Sequence, residues 1–185
     1  MTDIDVRERQ LYIVPVSAPV ARARATRTVF GGVKVASLGA AQSDGSCELI
    51  AEFSKDPACL IHVWAVRASR QLRGTWSRIA TGDWFLFYSR GTILGAARVH
   101  GTCESGSMAD ALWGSAGGSE FRLFVIFDRV ERLEVPAWTY REVLGSRFIG
   151  FRRLSDDLRG ALVRRFGSVD AFVEKELSAA HAVDR

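Results

Sequence analysis

Tryptophan and arginine are the residues of this chain best suited to chemistry. Of five tryptophans, Trp64 stands near the end of the apolar run "LIHVWAV", and Arg67, Arg70 and Arg73 follow at steps of three. An indole ring offers a flat apolar face that stacks on planar or cationic groups. A guanidinium offers a fixed fork of donors that pairs with phosphate. Together they form a pattern suited to holding a flat base while neutralising the phosphates beside it. Steps of three do not keep strictly to one helix face, but they stay near one side. Trp113 lies among small polar residues in "ALWGSAGGS" with no obvious core to enter. It reads either as a ligand wall or as a lid residue folded back on the domain.

Other chemistry is sparse. His62, His100 and His181 are far apart and lack metal-ligand spacing, and no H-x-E with P-C-x-x-C, G-x-S-x-G, Walker A or G-x-G-x-x-G motif occurs. "GSAGGS" lacks the lysine and helix start of a phosphate cradle. Asp156 and Asp157 sit in a first helical turn, where the macrodipole accounts for them. Asp110, Glu120 and Asp128 could hold Mg²⁺ only outside any nuclease pattern. No catalytic residue, metal or cofactor is assigned. A non-catalytic binding domain is expected.

The bulk properties permit this. The chain has 185 residues, 48% of them hydrophobic, and a formal net charge of +4. Its mean hydropathy of +0.04 and pI near 9.3 mildly favour a polyanionic partner. Cys47, Cys59 and Cys103 show no C-x-x-C spacing, which argues against a disulfide framework or structural zinc and for a reducing, cytoplasmic setting. No apolar run is long enough to span a membrane, and "MTDIDVRERQ" has no signal-peptide core.

The elements that position these residues follow from periodicity. "LYIVPVS" reads as a buried strand, followed by a helix from Ser17 and Pro19 that stops at Gly31-Gly32. "VKVASL" and "ELIAEF" read as short strands. Leu72, Trp76 and Ile79 recur at helical spacing between Ala68 and Thr81, which makes Trp76 a core anchor. "DWFLFYSRGTILGAARV" reads as a hairpin turning at "SRGT", with Trp84 packed inside. A glycine-rich loop carrying Trp113 leads to "FRLFVIF", a central strand. Trp138 follows Pro136 in a connector, as core or as a ligand contact. Ser155 and Ser168 cap a C-terminal pair of helices at about 155–180. Strands joined by hairpins, then helices, predict an α+β fold: a curved or barrel-like mixed sheet with helices at its ends, in one domain over 1–185.

The order of these motifs resembles the PUA-like superfamily, in its EVE and YTH branches. "HVWAVRASRQLRGTWSRIATGDWFLFY" is similar to the YTH segment in which a strand ends in Trp and a helix leads to an apolar strand. "IATGDWFLFYSRGTILGAARV" is similar to the EVE pattern of a G-D turn, a strand ending in Tyr, and a strand closing G-x-x-x-V. The tail "YREVLGSRFIGFRRLSDD…RFGSVDAFV" looks like the end of EVE/YTH-like modules attached to HNH or McrBC-type modification-dependent restriction enzymes. The likeness covers roughly 11–30 and 60–177, and 31–59 reads as an insertion.

The resemblance implies a small curved mixed β-barrel with an aromatic cage for a flipped, modified base. Trp64 would be the first wall and Trp113 the second, with Tyr88, Trp138, Met108 and Leu112 as candidates for the third. Where YTH domains place Asn after the first strand, this chain has "SAP" and no asparagine. Ser17 and Ala65 are then the base-edge contacts. Arg67, Arg70, Arg73, Arg147, Arg152 and Arg153 would bind phosphate. The implied partner is DNA with a modified, methylated base, with RNA as the alternative. A nuclease or NTPase partner, or a fused domain, would supply cleavage.

Overall fold

A computed structural model describes residues 8–38, 48–53, 56, 58–114, 120–146 and 148–183. A seven-stranded mixed sheet is built from β1 (Leu11–Pro15), β2 (Val33–Lys34), β3 (Leu60–Val66), β4 (Trp84–Ser89), β5 (Thr92–Glu104), β6 (Leu123–Pro136) and β7 (Arg152–Arg153), in the order β2-β3-β6-β5-β4-β1-β7. Among the described strands only β1 and β4 run parallel, with Leu11 opposite Trp84. The long connection between them supplies the crossover that a parallel pair needs. Register shifts at Phe87/Tyr88 in β4 and along β5 mark bulges, which bend and twist the strands. The expected barrel-like sheet is therefore open, with β2 and β7 at its edges.

Strand alternation divides the core. Trp84 and Leu86 of β4 join Leu11 and Ile13 on one face. There they pack against helix α5 (Asp156–Phe166) and the helical run from Val169 to Val183, through Leu162, Phe172, Val173 and Leu177. Phe85 and Phe87 turn the other way, to Tyr12, Val99, Val125 and Phe127. Over that face lies helix α1 (Pro19–Arg24), continued by a π-helical turn to Phe30, with Ala25 and Val29 buried. Both C-terminal helices begin as read from the sequence, with Ser155 Oγ and Ser168 Oγ accepting from the amides of Leu158 and Ala171.

The Gly82-Asp83 turn is held by a buried carboxylate. Asp83 accepts from the amides of Gln10 and Ala80 at 2.9 Å each, tying the start of β4 to the approach of β1. Gly95 is required by close approach, because a Cβ there would stand 2.3 Å from Phe30 Cε1 and 2.6 Å from the Glu131 carbonyl oxygen. The carbonyl belongs to the neighbouring strand and cannot move aside. Gly95→Ala is expected to cost about 1–3 kcal/mol of stability, read as a lower urea midpoint with unchanged slope.

Several elements differ from their sequence reading. "ELIAEF" is helix α2 (Glu48–Phe53), whose Ile50 is buried among Val33, Ile61 and Met108. A six-residue apolar run carries too little periodicity to separate strand from helix. In "VKVASL" only Val33 and Lys34 pair with β3, and a 3-10 turn follows over Val35–Leu38. Helix α3 (Arg70–Trp76) is shorter than expected, and Trp76 is half-buried with Nε1 donating to the Phe124 carbonyl at 3.0 Å. Trp113 is the last residue of helix α4 (Gly106–Trp113) rather than part of a loop. Ser105 caps that helix, and Met108, Ala109 and Leu112 bury one side of it. Cys103 is disulfide-bonded, against the expectation of unbridged cysteines, whereas Cys59 is a free thiol. Among the described residues no helix is long and apolar enough to cross a membrane.

Candidate nucleobase-binding site

The last turn of β3 meets the C-terminal end of α4 beneath α1. Ile61, Val63 and Ala65 point into the cluster that packs α4. Trp64 points to the opposite side and meets Phe87 edge-on, with ring centroids 5.7 Å apart. Its indole is only half-buried. Trp113 lies almost parallel to Phe124, at 6° and 5.6 Å, and meets Phe121 at 67°. Its Nε1 is buried without a hydrogen-bond partner.

Trp64 and Trp113 line one cavity of about 220 Å³, together with Phe121, Ala65, and Ala18, Val20, Ala21 and Arg24 at α1. That space far exceeds a single water and is smaller than the roughly 300–1,000 Å³ of drug-sized sites, which suits one planar ring system. Trp64, Ala65 and Phe121 also border a second cavity of about 360 Å³, closed by Ser17, Arg67, Leu72, Gly150 and Phe151. A third, of about 470 Å³, lies along α1 between Arg24, Arg27 and Trp113. The smallest shares Ala18, Trp64, Ala65 and Phe121 with the second and Val20, Arg24 and Trp113 with the third, so the three adjoin in one cleft region.

Phe121 supplies a third aromatic ring to the smallest cavity, and Arg24 supplies a cation. The Arg24 guanidinium carbon stands 5.0 Å from the Trp113 centroid and 4.5 Å from that of Phe121. Arg67 lies over Phe121 at 5.6 Å. Such contacts contribute about 0.5–1 kcal/mol at exposed sites and more when dry.

The residues singled out in the sequence are distributed unevenly around this cleft. Trp64, Trp113, Ser17, Ala65 and Arg67 line it. Tyr88 does not, because one step along β4 from Phe87 turns it to the opposite face, where it stacks on Phe148 at 4.3 Å. Trp138 is 73% exposed in a 3-10 turn beyond β6. Met108 is fully buried on the inner side of α4, and Leu112 borders the cavity along α1. Phe121 was not singled out, because a lone phenylalanine before a strand carries no signal in the sequence.

Most of the proposed phosphate-binding arginines already have anionic or carbonyl partners. Arg73 makes two hydrogen bonds to Glu104, at 2.6 and 2.8 Å, which raise the guanidinium pKa and lower that of the carboxyl. Arg67 pairs with Glu120 at 2.9 Å and Arg153 with Asp156 at 3.0 Å. Arg152 donates to the Leu144 carbonyl, and burial lowers its pKa. Arg70 is exposed on α3, and Arg147 lies outside the described residues. By contrast, no ion pair joins Arg24 or Arg27 to a carboxylate among the described residues. Their place in the sequence, "ARARATR", is visible only as a basic run, which composition alone discounts. Glu120 and Asp128 pair with Arg67 and Arg98, and the described residues contain no cluster of His, Cys, Asp and Glu able to hold a metal ion.

No protein-family model matches the sequence, and no curated protein matches it. Solved structures do. The N-terminal domain of Thermococcus gammatolerans McrB bound to m5C DNA superposes with a TM-score of 0.55 at 17% identity, over 86% of this chain and 98% of that one. The Mmi1 YTH domain in complex with RNA gives 0.48 at 13% identity over 92% and 83%. The YTH domain of Zygosaccharomyces rouxii MRB1 with N6-methyladenosine RNA gives 0.45 at 11% identity over 86% and 87%. On the first of these comparisons, the chain shares the fold of the McrB N-terminal domain.

Proposed function

We propose that this chain reads a modified base in DNA, taking it out of the stack and into the cavity between Trp64 and Trp113. The observation that carries the reading is the convergence of these two tryptophans, 49 positions apart in the sequence, on one base-sized space rimmed by arginine. The fold shared with a McrB domain that binds m5C DNA supports DNA as the ligand.

The energetics are sufficient. Extrusion of a base costs a few kcal/mol, and stacking on an aromatic side chain returns about 1–3 kcal/mol. A buried methyl adds only about 0.8 kcal/mol, around fourfold in affinity. Sharper discrimination requires a dry fit in which the unmodified base leaves a void or an unpaired polar group. Ser17 Oγ and the Ala65 backbone are the polar groups that would read the base edge. Catalysis is no part of this role. We read the chain as one recognition module over 1–185, with a separate or fused nuclease or NTPase supplying cleavage in a restriction or defence system.

Titration of duplex and single-stranded oligonucleotides bearing 5-methylcytosine, N6-methyladenine or no modification tests this reading. At least one methylated DNA is expected to bind more tightly than its unmodified counterpart. Equal affinity for every DNA, with or without methylation, would overturn it. Tighter binding to the corresponding RNA, dependent on the 2′-hydroxyl, would turn the assignment to RNA.

A further inference from the structure

The 470 Å³ groove on the far side of Arg24 has no role in holding the base itself. It runs along α1 and is lined by Val20, Ala23, Arg24, Arg27, Leu112 and Trp113. Its floor is apolar and its charge comes from two arginines. Arg27 donates through Nη2 to the Leu112 carbonyl, which fixes the guanidinium at the groove while leaving its other donors available. Arg24 lines both this groove and the smaller cavity, and its guanidinium rests on the rings of Trp113 and Phe121. Neither arginine is neutralised by a carboxylate among the described residues, unlike Arg67, Arg73 and Arg153.

We infer that this groove holds the nucleotide adjoining the flipped base on the same strand, with its phosphodiester on Arg24 and Arg27. The inference rests on the base-reading role proposed above and adds a second subsite to it. In the free protein the Arg24 guanidinium stays against aromatic faces, which satisfies its charge and holds it beside the cavity. When a base occupies the cavity, its own phosphate arrives next to Arg24. The guanidinium then exchanges a cation–π contact for a charge-assisted hydrogen bond, which is the stronger interaction. Arg27 is already held by Leu112 and needs no such movement. The site therefore reads a base together with its flanking phosphate, and the principal phosphate contacts lie on α1 instead of α3.

The test compares Arg24→Gln, Arg27→Gln and Arg73→Gln with the wild type across a salt series, using methylated duplex DNA and the corresponding free methylated nucleoside. Each α1 substitution is expected to weaken DNA binding on the order of tenfold at low salt and to reduce the salt slope by about one. Arg27→Gln leaves nucleoside binding unchanged, because the nucleoside carries no phosphate. Arg73→Gln leaves the slope near wild type. Unchanged slopes in both α1 variants, with selective wild-type binding intact, overturn the second subsite alone. A wild type that does not distinguish methylated DNA overturns the base-reading role and the subsite with it. Circular dichroism of each variant separates loss of contact from loss of fold.

Discussion

Trp64→Ala is expected to abolish selective binding of methylated DNA while leaving a folded chain. The indole is half-buried near the end of β3, packs against the cluster around Phe85 and Phe127, and meets Phe87 edge-on. Its removal takes away one stacking face, worth about 1–3 kcal/mol, or roughly 5- to 150-fold in affinity. The stability cost falls below the roughly 3–5 kcal/mol of a fully buried tryptophan, because part of the ring already faces solvent. Trp64→Leu is the informative companion. It preserves apolar bulk against Phe87 and removes the flat face, so it should regain stability without regaining affinity. Fluorescence anisotropy with labelled duplexes reads the binding, and urea denaturation reads the fold. Affinity and selectivity unchanged in both variants would remove Trp64 from the site.

Trp84→Ala is expected to do the reverse, with its effect falling on the fold. Trp84 is 0% exposed between β1 and the C-terminal helices, and Nε1 donates to Asp170 Oδ1 at 2.8 Å. Asp170 also accepts from Arg9 at 2.5 Å, so the indole helps tie the last helices to the strand that follows the Gly82-Asp83 turn. Truncation leaves a large cavity and costs about 3–5 kcal/mol, a substantial part of the 5–15 kcal/mol typical of a domain. For a chain of this size that corresponds to a melting midpoint lower by roughly 6–20 °C. Trp84→Phe keeps most of the packing and loses the hydrogen bond, so its midpoint should lie between those of the wild type and Trp84→Ala. A midpoint within about a degree of wild type for Trp84→Ala would contradict the assigned packing.

Two tryptophans near strand ends thus have opposite expected roles, and the sequence separates them only in part. "DWFLFY" is a continuous apolar run opening a hairpin, and such a run places Trp84 in the core whichever face it takes. "HVWAVR" leaves Trp64 undecided, because exposure at the end of a strand depends on what covers it. The cover is α1, whose start was legible from Ser17 and Pro19 but whose packing across β3 was not. Tyr88 illustrates the same limit. Its position at the end of β4 matched the motif, yet one residue of alternation carries it to the face opposite Phe87.

Local pattern determined the elements whose signals are strong over short range: the hairpin at "SRGT", the serine-capped C-terminal helices and the apolar strands β1, β3 and β6. It also singled out the aromatic and cationic chemistry of the chain. Tertiary structure alone decided which of those groups meet. The cleft joins α1, the end of β3, the end of α4 and Phe121, so no sequence spacing records it. Partner choice was decided in the same way. Glu104 lies 31 positions beyond Arg73 and ties up that arginine, whereas Arg24 and Arg27 reach the cleft unneutralised among the described residues. Charge in a sequence is a property of each residue. Charge available to a ligand is what remains after the fold has paired the rest.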